Sequence, residues 1–119
     1  MNLAPQGARD TLQGGPRILV VEDQSVSDFL RSLLSHQGFQ VTCANLTVAR
    51  ELLRKDRNKV DVLITNRPLE FTATPDVPVL YLSACPDSQA IKAFSRATFL
   101  AKPFEPRTLL ECLRRLLPA

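Results

Sequence analysis

Three short, strongly apolar runs constrain this chain more than any other feature: ILVV at Ile18 to Val21, VDVLIT at Val60 to Thr65 and VPVLYL at Val77 to Leu82. Near-continuous β-branched runs of this length suit strands covered on both faces of a parallel sheet, because a strand with one wet face would alternate. The stretches between them carry a helical period instead. Val26, Phe29, Leu30, Leu33 and Leu34 recur every three or four residues, which puts them on one helix face. Strand and helix patterns that alternate along a chain predict an α/β domain with right-handed crossovers and helices on both faces.

Strand one spans Arg17 to Glu22. Ser25, with Asp28 three residues on, reads as a capping box for the first helix, and Gly38 as its C-terminal stop. Phe39 to Ala44 is a short second strand, and Asn45 caps a second helix with Leu46, Ala49, Leu52 and Leu53 on its apolar face. Residues 67–76, which separate Asn66 from the next strand, include Pro68 and Pro75. A parallel connection needs at least about 10–12 residues with its helix, and prolines interrupt helical hydrogen bonding, so the third helix should be absent or reduced to a turn. Ser88 to Ala97, with Ala90, Ile91 and Phe94, predicts a fourth helix. Thr98 to Ala101 is strand five, and Pro106 opens a last helix carrying Leu109, Leu110, Leu113, Leu116 and Leu117.

The 119 residues make one domain's worth of chain, and 45% hydrophobic with 23% charged residues is ordinary for a soluble globular fold. Residues 1–16, with Pro5, Gly7, Gly14, Gly15 and Pro16 and few large apolar side chains, read as a flexible tail or linker, leaving 17–119 as the folded domain. No apolar run is long enough to cross a bilayer and no secretory h-region opens the chain, so the expected location is the cytoplasm. Cys43, Cys85 and Cys112 are odd in number, lack CxxC spacing and have only His36 for company, which reads as reduced thiols. His36 itself suits the C-terminal end of the first helix, where the dipole favours a cation. The net charge of +3 raises the question of nucleic acid. Arg50, Arg54, Lys55, Arg57 and Lys59 are interrupted by Glu51 and Asp56 and have no aromatic between them to stack on bases, so a solvated helix face accounts for them better.

Ligands of such sheets sit at the carboxyl ends of the strands. In the flavodoxin-like order 2-1-3-4-5 the crevice lies between strands one and three. Glu22 and Asp23 follow strand one and Asn66 follows strand three. Two adjacent carboxylates at a strand end suit a hard cation such as magnesium, or else a solvated turn in which Asp23 helps to cap the first helix.

Taken together, RILVVED at Arg17 to Asp23, VDVLITNRPLE at Val60 to Glu70 and FLAKPF at Phe99 to Phe104 resemble the receiver domain of two-component response regulators, along nearly all of Arg17 to Leu117. Glu22 and Asp23 match the family's acidic pair, Ser83 its hydroxyl residue after strand four, Phe99 its switch aromatic, and Lys102 with Pro103 its lysine followed by a usually cis proline. The resemblance implies a magnesium ion on the acidic pair, an aspartate that attacks phosphorus, a lysine and a hydroxyl that hold the new phosphoryl oxygens, and a switch aromatic that reshapes the face of the fourth helix, strand five and the last helix. Carried over, Lys102 is the anion contact, Ser83 the sensor and Phe99 the switch. Taken without that resemblance, Lys102 is a surface lysine and Ser83 equally a turn former, while Phe99 is a half-buried core aromatic of strand five with or without a switching role.

Position 66 departs from the pattern, because the family would have its phosphoacceptor aspartate there. An amide has no anionic oxygen, and its nitrogen lone pair is delocalised into the carbonyl, so phosphoryl transfer to Asn66 is not expected. Loss of one clustered negative charge should also weaken magnesium binding, and Arg67 follows directly. The leading expectation is a pseudo-receiver, not an enzyme, that docks to a signalling partner such as a histidine kinase or an output protein through the fourth helix, strand five and last helix. A homodimer through that face stays open. So does phosphorelay through Thr65, Ser83 or Asp23. A flavodoxin-like enzyme or nucleotide binder fits less well, since carboxylates at the end of strand one repel an anionic cofactor. Cys85, two residues after Ser83, lacks a neighbour that would activate it for redox chemistry.

Overall fold

A computed structural model describes residues 14–117. Five parallel strands, β1 (Arg17–Val21), β2 (Gln40–Cys43), β3 (Val62–Thr65), β4 (Val79–Ser83) and β5 (Ala97–Ala101), form one sheet in the order β2-β1-β3-β4-β5. This is the flavodoxin-like order expected from the alternating pattern. The three central strands hold the continuous apolar runs, and every residue of β3 is buried. The edges read differently, with β2 and β5 half-exposed along their length. Asp61, the one charge in the VDVLIT run, lies ahead of β3, where its carboxylate accepts from Arg17 N–H at 2.6 Å and its own N–H donates to the Arg17 carbonyl at 2.8 Å.

Three α-helices cover the sheet: α1 (Gln24–His36), α2 (Leu46–Lys55) and α3 (Pro106–Leu116). Helices α1 and α3 bury one face, where Leu30, Leu34, Leu109 and Leu113 pack on Ile18, Val20, Ile64 and Leu80. Among the described residues the other face has α2 as its one α-helix, and Ala49 and Leu53 meet Leu19, Leu63 and Val79 there. Asn45 caps α2 as expected, its side chain accepting from Val48 N–H at 2.8 Å. Gly38 ends α1 at φ +90°, a conformation that favours glycine. Its N–H donates to Ser35 and the Phe39 N–H to Leu34, which together make a Schellman stop.

The start of α1 corrects the capping-box expectation. Asp23 occupies the N-cap without a side-chain cap bond, and Ser25 lies inside the helix. Asp28 is held by Gln24, whose amide donates to it at 2.8 Å, so an i,i+4 pair takes the place of the box.

The third helix is reduced to a turn, as the two prolines predict. A 3₁₀ segment, Pro68–Phe71, buries Phe71 against the sheet. The fourth helix also fails to form, contrary to its apolar spacing. Ser88–Ile91 is a single 3₁₀ turn in which the Asp87 side chain accepts from Gln89 N–H, and the bonds that follow, Lys92 to Gln89 and Phe94 to Ile91, keep the three-residue step. The Ser95 N–H then donates to the Pro75 carbonyl, committing the chain to the neighbouring loop. Ala90 and Phe94 are still buried, so the apolar spacing reports real burial, but the backbone bonds went elsewhere.

The tail expected over residues 1–16 falls largely outside the described residues. Of its last part, Gly15 and Pro16 lie against β2, their carbonyls accepting from the Gln40 side chain and backbone. The basic run is an ion-paired surface: Arg54 and Lys55 bond Glu51, Lys59 bonds Asp56, and Arg50 reaches Glu70. Cys43, Cys85 and Cys112 are all free thiols. No helix among the described residues is long and apolar enough to cross a membrane.

Candidate functional site

The carboxyl ends of β1 and β3 are adjacent because those strands pair in register, Val21 beside Thr65. The next residues along each strand are therefore neighbours, and Glu22, Asp23, Asn66 and Arg67 line a common cleft of about 170 Å³ with Ala44, Asn45 and Leu46. The structure thus brings together the acidic pair and the amide that the sequence singled out. Thr65, one step inside, is fully buried and its hydroxyl accepts from the Arg67 N–H at 3.0 Å. That bond turns the chain out of β3 and fixes where Asn66 and Arg67 begin.

Lys102 follows β5, and its ammonium donates to Glu22 Oε1 at 3.1 Å. The same oxygen accepts from the Asp23 N–H at 3.1 Å, while Oε2 is buried with no hydrogen-bond partner among the described residues. The Glu22 side chain has no exposed surface and that of Lys102 is 23% exposed. Burial pushes the Glu22 carboxyl above its ordinary value; the Lys102 hydrogen bond, the Asp23 N–H and the lysine charge pull it down, and the Asp23 charge adds a further push upward. The peptide bond between Lys102 and Pro103 is cis.

Ser83 ends β4, and its hydroxyl accepts from the Cys85 N–H at 3.1 Å, the arrangement of a turn former. Neither Ser83 nor Phe99 lines the cleft. Phe99 stands in the middle of β5 with 45% of its surface exposed, which corrects the expectation of a core aromatic. Among the described residues no α-helix covers β5 on the face that carries Phe99, where the segment from Ser88 onward is a 3₁₀ turn.

The bond between Lys102 and Glu22 went unseen in the sequence. Its partners lie 80 residues apart. Strand order alone places the carboxyl ends of β1 and β5 at the same end of the sheet, but which carboxylate the lysine meets there depends on side-chain reach that the sequence does not show.

Comparison with known proteins agrees with this arrangement. No protein-family model matches the chain. Two-component response regulator ARR12 of Arabidopsis thaliana is 35% identical over 96 aligned residues, covering 71% of this chain. The chain spans only 16% of the length of that relative. Among solved structures, chemotaxis protein CheY4 of Vibrio cholerae superposes with a TM-score of 0.73 at 28% identity, over 86% of this chain and 98% of its own. A response regulator from Thermotoga maritima gives 0.68 at 26% identity, over 85% and 96%. Strand order, the acidic pair at the β1 end, the lysine after β5 and these likenesses agree, and the chain is a response regulator receiver domain of two-component signal transduction.

Proposed function

We propose that this receiver domain is a pseudo-receiver, which does not take a phosphoryl group at position 66 and signals by docking to another protein. The observation that carries this reading is the pairing around Asn66. An amide stands where the attacking carboxylate would be, and Lys102, the cation that would receive phosphoryl oxygens, is engaged with Glu22. Covalent phosphoryl transfer needs an anionic oxygen as nucleophile, and Asn66 has none to offer. Two of the three other candidate acceptors fit poorly, and phosphorylation of the third, Asp23, would also register as a gain in intact mass. Thr65 is buried with its hydroxyl engaged by Arg67, and Ser83 is engaged by Cys85.

Magnesium, which the family fold implies, fits this donor set poorly. One Glu22 oxygen is shared between an ammonium and a backbone N–H, the other is buried, and Arg67 borders the same cleft. A hard divalent cation prefers several free anionic oxygens, and here Asp23 is the one carboxylate left without such a commitment among the cleft residues. Binding is therefore weak, and the Lys102 ammonium supplies in part the positive charge that a metal would bring.

The docking surface in this reading is β5 with α3, and its partner is a histidine kinase or an output protein of the cytoplasm. With one 3₁₀ turn in place of a fourth helix, the strand contributes more of that surface than the sequence led us to expect. Incubation of the chain with a small phosphoryl donor and magnesium should leave its intact mass unchanged. A stable gain of one phosphoryl group on the unmodified chain overturns the reading.

A further inference from the structure

The open edge of the sheet at β5 offers an unused recognition surface. Val79 N–H donates to the Arg96 carbonyl and Lys102 N–H to the Ser83 carbonyl, so the even-numbered residues of this stretch face β4. By the two-residue period of a strand, the backbone N–H and C=O groups of Ala97, Phe99 and Ala101 face outward, where no further strand pairs with them among the described residues. Side chains mark the two faces. Ala97 packs with the α2 face, which puts the exposed Phe99 ring on that side, while Leu100 packs with the α1 and α3 face. Beside the start of the strand a cavity of about 340 Å³ opens between β5 and α3, lined by Ala97, Thr98, Cys112 and Leu116 and rimmed by Arg96 and Arg115.

Cations outnumber carboxylates around this edge, where Glu111 lies one turn before Arg114 and Arg115 on α3 and Asp76 shares a neighbouring cavity with Arg96. Lys92, Arg96, Arg114 and Arg115 are exposed, and none of them pairs with a carboxylate among the described residues; Arg96 donates to the Arg115 carbonyl instead. By contrast, the cations around α2 are paired. Nature commonly blunts an open strand edge with lysine or arginine, which discourages indiscriminate pairing while leaving the edge able to accept a strand of opposite charge.

We infer that the β5 edge takes an extended acidic segment of a partner protein as a sixth strand, with one of its apolar side chains in the cavity between β5 and α3 and its carboxylates on Arg96 and Arg115. Main-chain bonds to Ala97, Phe99 and Ala101 supply affinity, and the cavity and the arginines supply selectivity. A second copy of the chain fits worse. Antiparallel pairing of two β5 strands about Phe99 sets Arg96 across from Lys102 at both ends, and because Lys102 is held by Glu22 neither end gives Arg96 a carboxylate partner. The inference rests on the reading of this chain as a docking module and names the chemistry of what docks.

The test uses the whole chain and an acetylated, amidated eight-residue peptide that alternates glutamate and valine, read by amide hydrogen exchange. At about ten times its Kd, the peptide should slow exchange at the Ala97, Phe99 and Ala101 amides by about tenfold. The double variant Arg96→Glu/Arg115→Glu, checked for unchanged far-UV circular dichroism, should weaken binding by at least about tenfold. Phe99→Pro, which removes an outward N–H without breaking a bond to β4, should abolish protection of the edge. Three outcomes overturn the inference: no protection at these amides, equal binding of a lysine-valine peptide, or protection that grows with protein concentration when no peptide is present. Failure here with an unchanged mass under phosphoryl donor leaves the pseudo-receiver reading standing. A phosphorylated chain that still binds the acidic peptide removes that reading and keeps the edge.

Discussion

Replacing Lys102 by Met removes the ammonium from Glu22 and keeps an apolar stem of similar length. Glu22 is left with the Asp23 N–H on Oε1 and nothing on Oε2. A hydrogen bond to a charged group contributes about 1.5–3 kcal/mol, and breaking a fully buried pair costs about 3–5 kcal/mol. Because the Lys102 side chain is 23% exposed while that of Glu22 is fully covered, the loss belongs near the lower range. We expect about 2 kcal/mol near neutral pH, or roughly 8 °C in Tm for a domain of about 100 residues. The pH dependence follows from Glu22, whose folded carboxyl already sits above its ordinary value through burial and rises further without Lys102, since the lysine's bond and charge both pull it down. A carboxyl raised by folding contributes stability that is full below its unfolded pKa and is lost as pH rises through the folded one. The deficit of Lys102→Met is therefore largest near neutral pH and shrinks on acidification, vanishing where Glu22 is protonated in both proteins. Urea unfolding followed by far-UV circular dichroism at about pH 7.5 and about pH 4 measures it. Equal losses at both pH values, or a neutral-pH loss below about 0.5 kcal/mol, would refute the reasoning.

Other expectations test separate parts of the account. Phe71→Ala, which empties the buried anchor of the 3₁₀ segment that stands in for the third helix, should cost about 3–5 kcal/mol in the same unfolding assay, whereas a loose surface loop would lose under about 1 kcal/mol. Asn45→Ala should cost about 1 kcal/mol by removing the cap of α2, and Asn45→Asp, which keeps an acceptor, should cost less. Millimolar magnesium should shift the Tm of the unmodified chain little and that of Asn66→Asp more, because a third carboxylate restores oxygen donors and competes with Glu22 for Lys102. An equally large shift in the unmodified protein would contradict the assignment of Lys102 to Glu22.

The fold was legible where local and global preferences coincide. The apolar runs at Ile18, Val62 and Val79 are short and rich in β-branched residues, which suits covered strands, and Asn45, Gly38 and Pro106 punctuate helices in the positions their chemistry favours. The crossover after β3 was legible through Pro68 and Pro75. What the sequence hid were choices between nearly equal backbone bonds. Ser88 to Ala97 has helical spacing for Ala90 and Phe94, and Asp87 caps its start, but the Lys92 and Phe94 N–H groups bond three residues back and the Pro75 carbonyl takes the Ser95 N–H that a helix would use. Ser25 and Asp28 match a capping box, yet Gln24 reached Asp28 and the helix began earlier. In the site, strand order alone leads to Glu22, Asp23 and Asn66 lying at neighbouring strand ends, where they share a cleft. The hold of Lys102 on Glu22 was not legible, because it joins segments 80 residues apart.

Phosphoryl chemistry at that position is the most direct measure of the central claim. The unmodified chain and Asn66→Asp should be incubated side by side with a small phosphoryl donor and magnesium and their intact masses compared. The account predicts no mass change in the unmodified chain and a gain of one phosphoryl group in the variant, lost on base treatment as an acyl phosphate would be. A phosphoryl group on the unmodified chain would contradict it.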